Sequence, residues 1–184
     1  MPLLKSEPIR LGFQAPAFLL KSVDGKEYSL SSFDGKKVLV VLFICSHCPY
    51  VKAIEDRILL LERQFSPLGA QFVGICSNDS TDYPEDSPPN LKARWQAKDY
   101  RFPYLVDEKQ DIAKAYGAVC TPDIYVFDQE RRLAYHGRLD DNWQEPSKVG
   151  RRDLADAIGA LLTGKKPASD QQPSMGCSIK WKKG

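Results

Sequence analysis

Seven consecutive apolar residues, Val38 to Ile44, end abruptly at Cys45-Ser46-His47-Cys48-Pro49. A run this short, rich in Val and Ile, predicts a strand covered on both faces and is far below the length of a membrane span. Behind Pro49 the apolar residues Val51, Ile54, Ile58, Leu61 and Phe65 recur every three or four positions. That period predicts a helix with one buried stripe, and proline suits its first position because the N–H it lacks has no partner there. Gln71 to Cys76 reads as a second buried strand, so the three elements form a right-handed βαβ unit with parallel strands, and Cys76 ends on the same edge as Cys45.

The remaining pattern completes an α/β order. Phe13 to Leu20, the turn Asp24-Gly25 and Glu27 to Leu30 predict a β-hairpin ahead of the core. Asn78 to Asn90, with its acids and prolines, reads as a surface loop. Leu91 to Asp99 predicts a helix with Leu91 and Trp95 inward, Tyr104 to Asp107 a short strand, and Ile112 to Tyr116 a helix closed by Gly117. Ile124 to Asp128 and Leu133 to Arg138 form a hairpin across Gln129 to Arg132, and Leu154 to Leu162 a last helix ended by Gly164. The chain shows no internal repeat. We expect one domain over residues 1–184, with a hairpin extension at about 1–34 and a tail at about 165–184. Ile179 and Trp181 in that tail predict that it packs back on the domain.

Composition narrows the function classes. The 184 residues suffice for a proper core, and a net charge of +2 without a basic patch argues against nucleic acid as a partner. The first fourteen residues hold no long apolar stretch, so a reducing, cytoplasmic setting is expected. In that setting a CxxC pair is redox-active or metal-binding. A metal reading needs four ligands and the pair supplies two, so no metal and no cofactor is expected.

The pair sits at a strand-to-helix turn, where the positive helix end stabilises a thiolate. On this reading Cys45 is the activated nucleophile and Cys48 is shielded at the helix start. His47 adds positive charge or a hydrogen bond to the Cys45 thiolate, which makes the pair more oxidising. Cys76 reads as a packing residue. Cys120, two residues before Pro122, is a nearby auxiliary thiol or a packing residue. Cys177 is either buried or able to pair with another thiol. His136 reads as structural, and Asp140-Asp141-Asn142 as a charged loop whose spacing fits no calcium site.

Cys45 to Cys48 after a buried strand, with Thr121-Pro122 far downstream before another strand, resembles the thioredoxin fold. The resemblance implies a central mixed β-sheet flanked by helices, and a cis-proline loop at Thr121-Pro122 that faces the pair and holds substrate backbone. The segments Phe13 to Phe18, Cys48 to Lys52, Tyr83 to Asp86 and Gly176 to Trp181 are similar to the peroxiredoxin-like branch of the alkyl hydroperoxide reductase and thiol-specific antioxidant superfamily. Two departures matter. The PxxxTxxC pattern of peroxiredoxins fits neither register: aligned on Cys48 it meets Val41 and Cys45, aligned on Cys45 it meets Val38 and Leu42. The buried acid that thioredoxins place six residues before the first cysteine is here Leu39.

The expected activity is thiol–disulfide exchange on a protein or small-molecule disulfide through Cys45 and Cys48, with a thioredoxin-type reductant as a possible partner. A peroxiredoxin-like peroxidase and a non-catalytic binding module built on the Pro122 surface are the alternatives. Oligomeric state is not legible in the chain.

Overall fold

The computed structural model describes residues 3–183. Its elements are β1 (Leu3–Lys5), β2 (Leu19–Ser22), β3 (Glu27–Ser29), β4 (Val38–Phe43), α1 (Pro49–Phe65), β5 (Ala70–Cys76) and α2 (Pro88–Ala97), followed by β6 (Tyr104–Val106), α3 (Asp111–Tyr116), β7 (Cys120–Thr121), β8 (Asp123–Phe127), β9 (Leu133–His136), α4 (Asp153–Leu162) and β10 (Met175–Ser178).

The apolar run is the middle of a seven-stranded mixed sheet in the order β3-β2-β6-β5-β4-β8-β9. All six residues of β4 are buried. Because side chains alternate along a strand, Val38, Val40 and Leu42 join one core with Val51, Ile54 and Ile58 of α1 and Leu154 and Ile158 of α4. Leu39, Val41 and Phe43 join the other, with Ala113 and Tyr116 of α3. Each such side chain contributes roughly 1.5–3 kcal/mol by leaving water. β5 runs parallel to β4 from Val38↔Ala70 to Phe43↔Ile75, so Cys45 and Cys76 lie past the same edge. β8 runs antiparallel to β4, with Phe43 opposite Asp123, and brings residues 121–123 to that edge too. β2 and β3 form the expected hairpin.

The helices follow the expected stripes with one boundary moved. The segment read as a loop to Asn90 ends earlier, because α2 opens at Pro88 behind the N-cap Ser87. Two prolines are tolerated in a first turn, where no intrahelical N–H is needed. A buried carboxylate ties this helix to α1: Glu55 accepts from Arg94 Nε at 2.8 Å and Arg94 Nη2 at 2.5 Å, and also from the hydroxyl of Tyr100.

The tail packs back on the domain in a specific way. β10 pairs antiparallel with β1 on one side and β7 on the other, giving a three-stranded sheet β1-β10-β7 that the hydrophobic pattern does not announce. Strands of two to four residues carry too little period to be read. Among the described residues, no helix is long and apolar enough to cross a membrane.

Candidate active site

Three segments converge where β4 ends. The first is the turn Cys45 to Cys48. Cys48 has extended backbone (φ −70°, ψ 122°) and is the N-cap of α1, with Pro49 behind it. Its carbonyl takes the first helical bond, from the Lys52 N–H at 3.0 Å. The second is the Thr121–Pro122 peptide, which is cis. Thr121 sits between the two sulfurs: its Oγ1 is 3.3 Å from Cys45 Sγ, and its carbonyl accepts from the Cys48 thiol at 3.2 Å. The third is β10, whose Cys177 lies opposite Thr121 in register.

Both thiols are buried, Cys45 at 1% exposure and Cys48 at 0%. All five cysteines are free. The two thiols act on each other and are shifted in opposite directions, Cys45 up and Cys48 down. Burial pushes Cys45 well up, and the neighbouring Cys48 thiol and the Asp86 carboxylate push the same way against the Thr121 hydroxyl. Cys48 is lowered to about 5. The Cys45 thiol donating to it is the largest cause; burial opposes, and the Cys177 thiol and the N–H groups of Val51 and Cys177 add to the lowering. Cys48 is also the N-cap of α1, the residue before a helix-opening proline, and of the helix N–H groups that of Val51 bonds to it.

His47 does not bond to Cys45. Its Nδ1 meets Asp86 Oδ2 at 2.5 Å, its ring stacks on Tyr83 at 4.9 Å, and its buried Nε2 has no partner among the described residues. Asp86 is the candidate site residue that the sequence reading missed. It lies in the segment read as a surface loop, yet is 2% exposed. Its Oδ1 accepts the Ser46 N–H at 2.6 Å, and Oδ2 also accepts from Asn78 Nδ2 at 2.8 Å. Burial raises its pKa, but the bonds from His47, Asn78 and Ser46 outweigh that and hold it below the usual carboxylate range. Cys45 Sγ, a His47 nitrogen and an Asp86 oxygen lie within 4.8 Å of one another. Both Asp86 oxygens are already committed to three N–H donors, so the carboxylate positions the turn and its histidine.

The other named residues fall outside this cluster or at its margin. Cys76 and Cys120 are buried and pushed up by burial. Cys120 Sγ is 3.8 Å from the Pro122 carbonyl and packs beneath the loop. His136 Nε2 bonds to the buried Asp123 at 2.8 Å, so this pair braces the residue that follows the cis-proline. Asp140 pairs with Arg57, and Asp141 accepts the Gly150 N–H. Beside Pro122 opens a cleft of about 170 Å³ lined by Tyr50, Leu139, Trp143 and Met175.

Residues 11–136 match the AhpC/TSA family. The chain belongs to that family. It is 31% identical to the chloroplastic peroxiredoxin Q of Suaeda salsa over 139 residues, which cover 70% of this chain and 60% of that protein. It is 24% identical to the thiol-disulfide oxidoreductase ResA of Bacillus thuringiensis over 135 residues, 70% of each. The chain spans about half of another peroxiredoxin Q, from Populus jackii, with 47% covered. Among solved structures, an uncharacterized conserved protein from Geobacillus kaustophilus superposes with a TM-score of 0.95 at 43% identity, covering 100% of this chain and 98% of that one. The thioredoxin domain of a thiol-disulfide oxidoreductase from Bacteroides vulgatus superposes with a TM-score of 0.58 at 21% identity, covering 70% of this chain and 89% of that one, and shows the shared thioredoxin-like fold.

Proposed function

We propose that this AhpC/TSA family member is a thiol–disulfide oxidoreductase whose reacting pair is Cys45 and Cys48. The observation that carries the reading is the placement of both sulfurs on Thr121, with Cys48 capping α1 against the cis Thr121–Pro122 peptide. A helix N-terminus beside a second thiol provides a thiolate at neutral pH and a partner to close the disulfide.

The Cys48 thiolate attacks one sulfur of a partner disulfide. A Cys48–partner disulfide forms and the other partner sulfur leaves as a thiolate, which takes a proton. Cys45 then gives its proton to the His47–Asp86 pair and attacks Cys48 Sγ. The second partner thiol departs, and Cys45 and Cys48 are left bonded. The partner gains two electrons and two protons. This order reverses the one expected from sequence: the Cys45 thiol donates to Cys48, and the Cys177 thiol and the Val51 and Cys177 N–H groups act the same way. The cleft beside Pro122, lined by Tyr50 and Trp143, is where an extended partner segment rests, and a thioredoxin-type dithiol restores the reduced pair.

Insulin-disulfide reduction set beside hydroperoxide consumption tests the assignment. Reduced protein is expected to accelerate insulin reduction, with Cys45→Ser and Cys48→Ser each losing turnover. Rapid hydroperoxide consumption that survives in Cys45→Ser, with no insulin reduction in wild type, overturns the assignment in favour of the peroxidase reading.

A further inference from the structure

Cys177 is a third thiol at the reacting pair, held by a strand that occupies the edge where a partner chain would pair. β10 runs antiparallel to β7 with Cys177 opposite Thr121 and Ser178 opposite Cys120, so it takes the backbone position next to the cis-proline loop. The fit is close. A Cβ on Gly176 would come within 1.9 Å of the Thr121 carbonyl oxygen, so only glycine allows the strand this near. The strand is tied down beyond its own ladder as well. Asn78 Oδ1 accepts the Lys180 N–H at 2.8 Å, Gln110 Nε2 donates to the Lys180 carbonyl at 2.8 Å, and the Lys182 N–H donates to Gln110 Oε1 at 2.8 Å.

Cys177 is 2% exposed and packs in one cluster with Cys45 and Cys48. Its thiol and its N–H both act on Cys48, and burial together with that neighbour pushes Cys177 itself up to about 12. Cys48 therefore has two thiol neighbours, Cys45 on its own turn and Cys177 on the covering strand.

We propose that Cys177 is a second resolving thiol for Cys48, delivered by β10, so that the site closes into either a Cys45–Cys48 or a Cys48–Cys177 disulfide. This rests on the reading of Cys48 as the attacking thiol. In the second route, Cys177 gives up its proton and attacks Cys48 Sγ in the Cys48–partner disulfide. The Cys48–Cys177 bond forms, and the partner leaves as a thiolate that takes that proton. The partner disulfide is the oxidant and accepts two electrons, as in the first route. The product differs in effect: it fastens β10 over the cis-proline loop, whereas a Cys45–Cys48 disulfide leaves the strand free to lift.

The test treats full-length reduced wild type, Cys45→Ser and Cys45→Ser/Cys177→Ser with 5,5′-dithiobis(2-nitrobenzoate) and maps the peptides by mass spectrometry. In Cys45→Ser, Cys48 is expected to release two equivalents of thionitrobenzoate and to be found bonded to Cys177. In the double variant Cys48 should release one equivalent and keep the adduct. A stable Cys48 adduct in Cys45→Ser beside a normal Cys45–Cys48 disulfide in wild type overturns the role of Cys177 alone. Cys48 unmodified in every protein overturns the reading of the pair, and this inference with it. Should Cys45→Ser fail to fold, wild type treated with less than one equivalent serves instead: both disulfides are expected, and an exclusive Cys45–Cys48 product contradicts the proposal.

Discussion

His47 and Asp86 meet at 2.5 Å, Nδ1 to Oδ2, joining the CxxC turn to a loop 39 residues downstream. The bond ties the turn to that loop, with a His47 nitrogen within 4.8 Å of Cys45 Sγ. Leu39, which stands where thioredoxins carry a buried acid, is wholly enclosed in β4.

The charge on Asp86 opposes ionisation of Cys45. Asp86→Asn keeps the size and one acceptor oxygen but removes the charge, so Cys45 should ionise at lower pH than in wild type. Thiolate absorbance at 240 nm, followed against pH in a background lacking Cys177, reads the shift; no movement of the second ionisation step contradicts it. Asp86→Ala should cost more in stability, because Ser46 N–H, His47 and Asn78 all lose their acceptor, at about 1–3 kcal/mol for a stranded buried group.

His47→Ala leaves the Asp86 carboxylate without its imidazole partner beside the thiols. The reduced pair is then less stable, and its reduction potential should fall by roughly 30 mV for each ~1.4 kcal/mol lost. Equilibration of wild type and variant with graded glutathione buffers measures the difference, and a variant potential equal to or above that of wild type contradicts it.

The reduced protein should gain stability with rising pH between about 5 and 9. Cys48 is lowered from 9.0 in the unfolded chain to about 5 when folded, so across that window the unfolded state binds the extra proton and stability is lost as pH falls. Above the unfolded value the sign reverses, because Cys45 and Cys177 are raised and stay protonated only when folded. Thermal melts of reduced protein are expected to peak near the top of the window, and Cys48→Ala should flatten the lower arm.

Gly176→Ala drives a methyl group into the Thr121 carbonyl and should prise β10 from β7. The expected cost is about 1–3 kcal/mol, as for other overpacked sites. Cys48 should also be alkylated faster by iodoacetamide than in wild type, measured well below the melting temperature. An unchanged rate in a folded variant means that β10 does not cover the thiol.

Glu55 offers a test away from the site. It is buried and held by Arg94 and Tyr100. Arg94→Met leaves that carboxylate buried with Lys98, 3.6 Å away, as its remaining cation, so a loss of about 1–3 kcal/mol is expected in denaturant unfolding, with insulin reduction per folded molecule unchanged.

The main sheet was legible because β4 and β5 are continuous apolar runs and α1 carries a clean stripe behind Pro49. The cis-proline loop was legible through Thr121-Pro122 ahead of a strand. Asp86 was not, since a carboxylate among prolines and acids carries no local mark of burial; only the turn it meets across the fold gives it partners. The sheet β1-β10-β7 was hidden for a related reason, its strands being short and paired over long sequence distances. The third thiol beside Cys48 was not legible, because Cys177 arrives on β10 from the far end of the chain.

The most direct measurement is the state of Cys45 and Cys48 across a series of glutathione redox buffers, read by alkylation and peptide mapping. A single two-electron transition within roughly −120 to −270 mV, the span of known dithiol oxidoreductases, with Cys48 in every disulfide formed, is the expected result. Two thiols that stay free in every buffer, while the protein remains folded, would contradict the redox role of the pair.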